Sequence, residues 1–245
     1  MKSVRTSFPN RHFGPIFEKV LPALDKEKVE YWVFGGIAVA GIVGNFVREN
    51  KDVDLCVRES DFEKACSVLR DLCVKKEYND SWKFATRLEG PARRPKVEIF
   101  IGGIERLSLI PLHDNGKEIV LRIGGTDVSL MNGTRIDRVE KRIGDFKFFI
   151  PQESIVRTML RIVIRVHIEA TPARLLSPVS LEYRHWMDAA AILDKEEFDE
   201  LYETARVSRP NKFYRMLDRA IGKTGKLIKK ASPKSYAFLK SNFMN

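Results

Sequence analysis

Two glycines directly follow an apolar run. Tyr31-Trp32-Val33-Phe34 leads into Gly35-Gly36, and small apolar residues continue from Ile37 to Val43. A short run without polar alternation reads as a buried strand, here Glu30 to Phe34. Glycine tolerates positive φ and close backbone approach, so the pair predicts a sharp turn straight into a helix. Charged and apolar residues then alternate over Lys51–Val57, which predicts a second strand. Strand, glycine turn, helix and strand in that order constrain the start of the chain to a mixed β/α layer.

The remaining elements follow from the same periodicities. Residues 14–29 read as an amphipathic helix that Pro22 kinks or splits. Ser60 opens a helix of about fifteen residues, with Asp61 and Glu63 in its first turn. Strands are expected at Trp82–Arg87, at Lys96–Ile101 and in several runs between residues 107 and 150. Pro151 marks a change to helical periodicity, with helices over 152–168, 181–193, 195–205 and 211–221. No internal repeat is visible. The expected class is α+β, a mixed domain over residues 1–149 followed by a helical domain over 150–245.

With 245 residues, 44% hydrophobic and 31% charged, the chain can bury a sizeable core and is not disordered by composition. No apolar run approaches the ~20 residues of a membrane helix, and the start lacks the apolar segment of a signal peptide. Cys56, Cys66 and Cys73 have no CxxC spacing, and His167 and His185 are not spaced as metal ligands. Buried free thiols, no zinc site and a cytoplasmic location are the expectation. The net charge of +10 predicts affinity for polyanions, either nucleic acid or nucleotides.

Asp52-Val53-Asp54 carries the chemistry. Side chains alternate across a strand, so both carboxylates face one side and repel. A divalent cation relieves that repulsion, and Mg²⁺ prefers carboxylate oxygens while keeping sites for water and phosphate. The Gly35-Gly36 turn offers backbone N–H groups and the positive end of a helix to phosphate. Arg48 and Lys51 supply cations beside the acids. Each element alone has an ordinary alternative, as a turn, a solvated strand edge or a surface charge. In this order they describe metal-assisted phosphoryl or nucleotidyl transfer.

The segment from Val33-Phe34-Gly35-Gly36-Ile37-Ala38 through Arg48 to Asp52-Val53-Asp54-Leu55 resembles the signature of the DNA polymerase β-type nucleotidyltransferase superfamily. Its lincosamide and aminoglycoside branch and its abortive-infection branch, which acts as toxins in toxin–antitoxin pairs, are the most similar in spacing. The resemblance implies a polymerase β-like domain of mixed sheet and helices, an NTP substrate and one or two Mg²⁺ ions. It implies metal binding and catalysis by Asp52 and Asp54, and nucleotide binding by Gly35, Gly36, Arg48 and Lys51. It also requires a third carboxylate on a later strand. Glu98, a lone acid in Lys96–Phe100, is the candidate, as second metal ligand or as base for the attacking hydroxyl. Alternatively Glu98 faces water or pairs with Lys96. Glu89, beside Gly90 and Pro91, is the reserve.

The acceptor is less constrained. Arg157, Arg161 and Arg165 form one stripe of a helix, either a solvated face or a contact surface. The second helix, Tyr183-Arg184-His185-Trp186-Met187-Asp188, resembles the C-terminal part of the abortive-infection branch at Asp188, but departs from it at Arg184-His185; Trp186 reads as core. Beyond Asp218 the chain has no acid and carries Arg219, Lys223, Lys226, Lys229, Lys230, Lys234 and Lys240, with Tyr236 and Phe238 interleaved. That tail fits RNA contact or a frayed basic terminus. Gly222-Lys223-Thr224 lacks the upstream glycine of a P-loop. RNA, especially a tRNA end, or a protein hydroxyl is the first acceptor expected. An antibiotic-type small molecule is the second, and a non-catalytic nucleotide- or RNA-binding module the third. An antitoxin or a second copy of the chain is the expected protein partner.

Overall fold

The computed structural model describes residues 11–75, 81–89, 94–114, 118–123, 126–132, 135–170 and 181–208. The helix expected over 211–221, the basic tail and Gly222-Lys223-Thr224 lie outside the described residues. The described chain is α+β and divides into two compact units. One comprises residues up to Ile37 together with Glu49–Gln152, and the other comprises Ala38–Arg48 together with residues from Glu153 onward. The expected division at 149/150 and this one differ in where Ala38–Arg48 belong and, by three residues, in the later boundary, which falls at Gln152/Glu153.

The first unit is built on a mixed sheet in the order β1-β2-β5-β4-β3. These strands are β1 (Tyr31–Phe34), β2 (Val53–Arg58), β3 (Trp82–Glu89), β4 (Arg94–Ile101) and β5 (Ile104–Asp114). β2 and β5 run parallel; the other pairs in this order are antiparallel. β6 (Glu118–Ile123) and β7 (Thr126–Asn132) extend the far end of β5, and β8 (Val139–Ile143) pairs with β9 (Phe146–Ile150) as a separate hairpin. Tyr31, Trp32, Val33 and Phe34 are all buried, as an apolar run without alternation requires. Trp32 donates its indole N–H to the Asp137 carbonyl at 3.2 Å.

Helix α1 (Leu21–Lys26) follows a wide turn over Ile16–Val20, in which the Leu21 N–H reaches back to the Ile16 carbonyl. Pro22 has no N–H to give, and the wider turn just before it carries the chain into the proline without a break. Phe17 stacks on Phe146 at 4.9 Å between centroids, which seats this helix on the β8–β9 hairpin. Helix α3 (Phe62–Val74) buries Phe62, Ala65, Cys66, Leu69 and Leu72, at helical spacing.

Helix α2 (Gly35–Val43) begins on the residue after β1 ends, and the boundary between the units falls inside it. Gly35 has φ +63°, and a Cβ placed there would lie 2.4 Å from Asp54 Oδ2. Glycine is therefore required twice over, for the dihedral and for the space.

The second unit packs α4 (Glu153–Ala170) against α5 (Leu181–Ile192) and α6 (Lys195–Ser208). Trp186 is fully buried and meets Phe198 edge-on at 5.5 Å, so it is core as expected. The arginine stripe of α4, half-buried at Arg157 and Arg161 and exposed at Arg165, is engaged with acids. Arg157 pairs with Glu153 at 2.8 Å and Glu197 at 3.2 Å, and Arg161 with Glu197 at 3.4 Å and Glu200 at 2.8 Å. Arg165 also pairs with Glu200. The stripe joins α4 to the acidic face of α6.

Gly35→Ala is expected to destabilise the protein by at least about 1–2 kcal/mol from the left-handed dihedral alone, measured by chemical denaturation. Arg161→Ala is expected to cost about 0.5–1 kcal/mol at low salt, with the loss shrinking at high ionic strength.

Candidate active site

The register of the sheet sets the site. Phe34 lies opposite Asp54, so the end of β1 brings Gly35 to the Asp54 carboxylate. Asp54 in turn lies opposite Ser108 on β5, and Ser108 opposite Glu98 on β4. Directly opposed residues share a face, so Asp54, Ser108 and Glu98 form one row across three adjacent strands. Two strand spacings separate the Asp54 and Glu98 backbones, roughly 9–10 Å. Asp52 stands one residue before β2, and Asp52 and Asp54 are both half-buried.

Glu98 is buried, at 2% exposure, and holds two cations. Lys96 donates to its Oε1 at 3.2 Å, and Arg87 Nε stands 2.9 Å from its Oε2. The Arg87 N–H is not aimed at that oxygen, and Oε2 has no hydrogen bond among the described residues. Pairing with Lys96, the alternative weighed from sequence, is thus present together with burial in the Asp54 row.

Sequence reasoning missed Glu105 on this face. The pairing steps from Ile99–Leu107 to Phe100–Glu105, so Arg106 is an extra residue in β5. A bulge of that kind shifts the alternation and turns Glu105 to the Ser108 side. Ser108 donates its hydroxyl to Glu105 at 2.7 Å, and Lys96 Nζ lies 3.5 Å from the same oxygen. Arg106 donates to the Lys51 carbonyl at 3.3 Å, next to Asp52. Nothing in the residue order around Leu107 announces the bulge.

The donor chemistry suits a hard divalent cation. Asp52 and Asp54 offer oxygens only, Asp54 Oδ2 occupies the space a Cβ on residue 35 would fill, and Glu98 Oε2 is a buried oxygen without a hydrogen bond. Among the described residues no three acidic, histidine or cysteine side chains converge on one point that could hold an ion. The cysteines offer no competing site. Burial, and secondarily the Asp54 charge, push the Cys56 thiol well up, and burial raises Cys66 and Cys73 to about 11, so all three stay protonated at neutral pH. The side chains of Glu89 and His167 lie outside the described residues.

Arg48 belongs to the second unit and is held by Asp188 of α5. Its Nε donates to Oδ1 at 2.9 Å and its Nη2 to Oδ2 at 2.6 Å, with side-chain exposures of 9% and 2%. Burial pushes the Asp188 carboxyl up, against the opposing pull of Arg48 and Arg184.

The family model for aminoglycoside-2''-adenylyltransferase matches residues 17–97, ending one residue short of Glu98. No curated protein matches the chain in sequence. Among solved structures, ANT(2'')-Ia in complex with adenylyl-2''-tobramycin is similar with TM-score 0.48 and 15% identity, over 78% of this chain and 95% of that one. Lincomycin-bound LnuA, a lincosamide antibiotic adenylyltransferase, gives TM-score 0.42 and 15% identity over 79% and 96%. A Thermotoga maritima protein described as a nucleotidyltransferase gives 0.45 and 15% over 66% and 91%. The stretch matched by the family model, about a third of the chain, holds both Gly35-Gly36 and Asp52-Val53-Asp54.

Proposed function

We propose that this protein transfers a nucleoside monophosphate from an NTP to an acceptor hydroxyl and releases pyrophosphate. The observation that carries this is the approach of Asp54 to Gly35, which joins a carboxylate to a helix-opening turn within a stretch that matches a nucleotidyltransferase family. Gly35 and Gly36 present the N-terminus of α2 to the phosphates, favoured by its unpaired N–H groups and the positive end of its dipole. Lys51, next to Asp52, adds positive charge, while the charge of Arg48 is met by Asp188. Asp52 and Asp54 would hold one Mg²⁺, with Glu98 available to a second, and the bound ion would neutralise and polarise the triphosphate. Glu98 is also the group proposed to take the proton of the attacking hydroxyl. Residues 1–149 carry these groups, and the helical half, 150–245, is assigned to acceptor selection.

The net charge of +10 and the basic tail support an RNA acceptor such as a tRNA end, or a protein hydroxyl, in the manner of a toxin with a partner antitoxin. Arg157, Arg161 and Arg165 are engaged within the helical unit and add nothing to that case. The small-molecule alternative is favoured by the family description, an adenylyltransferase that takes an aminoglycoside, and would make ATP the donor. Among the described residues no helix is long and apolar enough to cross a membrane, and NTP use fits the proposed cytoplasmic location.

Incubation with each labelled NTP, Mg²⁺ and separate pools of total tRNA, protein, aminoglycosides and lincosamides is expected to label one pool. The labelled pool names the acceptor, and no transfer to any of them overturns the enzyme assignment. Asp54→Asn is expected to lower turnover by about a thousandfold, as removal of several kcal/mol of transition-state stabilisation would, while circular dichroism stays that of the wild type.

A further inference from the structure

The segment between α2 and β2 is fixed by burial and by two polar ties. Gly44, at φ +81°, ends the helix with its N–H on the Ala40 carbonyl at 2.8 Å. Phe46 and Val47 are buried, at 8% and 1% exposure. Arg48 is then gripped by Asp188, and within the first unit the Asn50 carbonyl faces His12 Nε2 at 3.1 Å. Lys51, Asp52 and β2 follow immediately.

The Arg48–Asp188 pair takes two charges almost wholly out of water. Such a pair stabilises a fold no better than well-packed apolar side chains of the same size. What a bidentate fork adds is orientation, because two parallel N–H···O bonds fix both the plane and the position of the guanidinium. A lysine or an apolar pair would fill the space without fixing the angle. Asp188 stands far along the chain from the motif, so this grip is the contribution of α5 to the segment that delivers the acids.

We infer that Asp188 is a positioning residue for nucleotide binding: through Arg48 it fixes the segment that carries Lys51 and Asp52 into β2. The inference rests on the proposed nucleotidyltransferase function. Loss of a side chain that orients a binding group from behind typically costs about ten- to a hundredfold in affinity or activity.

The test is titration calorimetry of the intact protein with a non-hydrolysable NTP analogue and Mg²⁺, alongside thermal unfolding of every variant. Asp188→Asn keeps the shape but can accept only one of the two guanidinium bonds, so its affinity is expected to fall about tenfold or more. The double variant R48M/D188L, which keeps a filled core, is expected to fold and to bind at least as weakly as Asp188→Asn. Arg161→Ala, which loosens the same helical unit elsewhere, is expected to bind as the wild type does. Asp188→Asn binding within about twofold of wild type, whatever its unfolding temperature, overturns the inference and leaves a purely structural pair. A loss in Arg161→Ala equal to that in Asp188→Asn overturns it as well, since general loosening of the unit then explains both. A wild-type protein that binds no nucleotide overturns the proposed function itself, and the inference falls with it.

Discussion

The contact between Asp54 and the backbone at residue 35 is the constraint on which the rest depends. A carboxylate oxygen rests where any other residue would place its Cβ. That arrangement requires β1 and β2 to pair with Phe34 opposite Asp54, and requires the chain to turn into α2 with no intervening loop. A slip of one residue would send Asp54 to the opposite face of the sheet and remove it from the turn. Register, turn and acid placement are thus one decision.

The face that carries Asp54 gathers acids that would repel one another if left alone, and the sheet answers with cations at matched positions. Lys96 precedes Glu98 on the same face of β4, and Arg87 lies opposite Lys96 on β3. The bulge at Arg106 then adds Glu105, and Lys96 stands between the two glutamates. The row thus runs from Glu98 on β4, with its two cations, to Asp54 on β2.

Much of this was legible in the sequence, and what was not has identifiable causes. The buried strand at Tyr31–Phe34, the glycine turn and the alternation over Lys51–Val57 are short-range signals, and the strands and helices they predict are present. Glu98 stood out as a charge in an apolar strand, and its place in the Asp54 row follows from strand order, which periodicity does not specify. The bulge at Arg106 depends on how β4 and β5 align, a pairing that no local pattern encodes. The arginine stripe of α4 was visible, but its partners on α6 were not, because any acidic helix could have met it. The grip of Asp188 on Arg48 joins residues remote in sequence, and a lone Asp in an apolar helix does not name its partner.

The boundary inside α2 bears on how such a protein can be cut, permuted or assembled from pieces. The chain leaves the first unit at Ile37, contributes Ala38–Arg48 to the helical unit, and returns at Glu49 before the acids. A fragment ending near residue 149 would keep Asp52, Asp54 and Glu98 yet leave the Arg48 guanidinium without its Asp188 counter-ion. The residues from Glu153 onward therefore form one unit with Ala38–Arg48 and do not make a separable C-terminal module. Exchanging the helices between chains of this kind would mean exchanging the α2–β2 segment along with them, as a single inherited block.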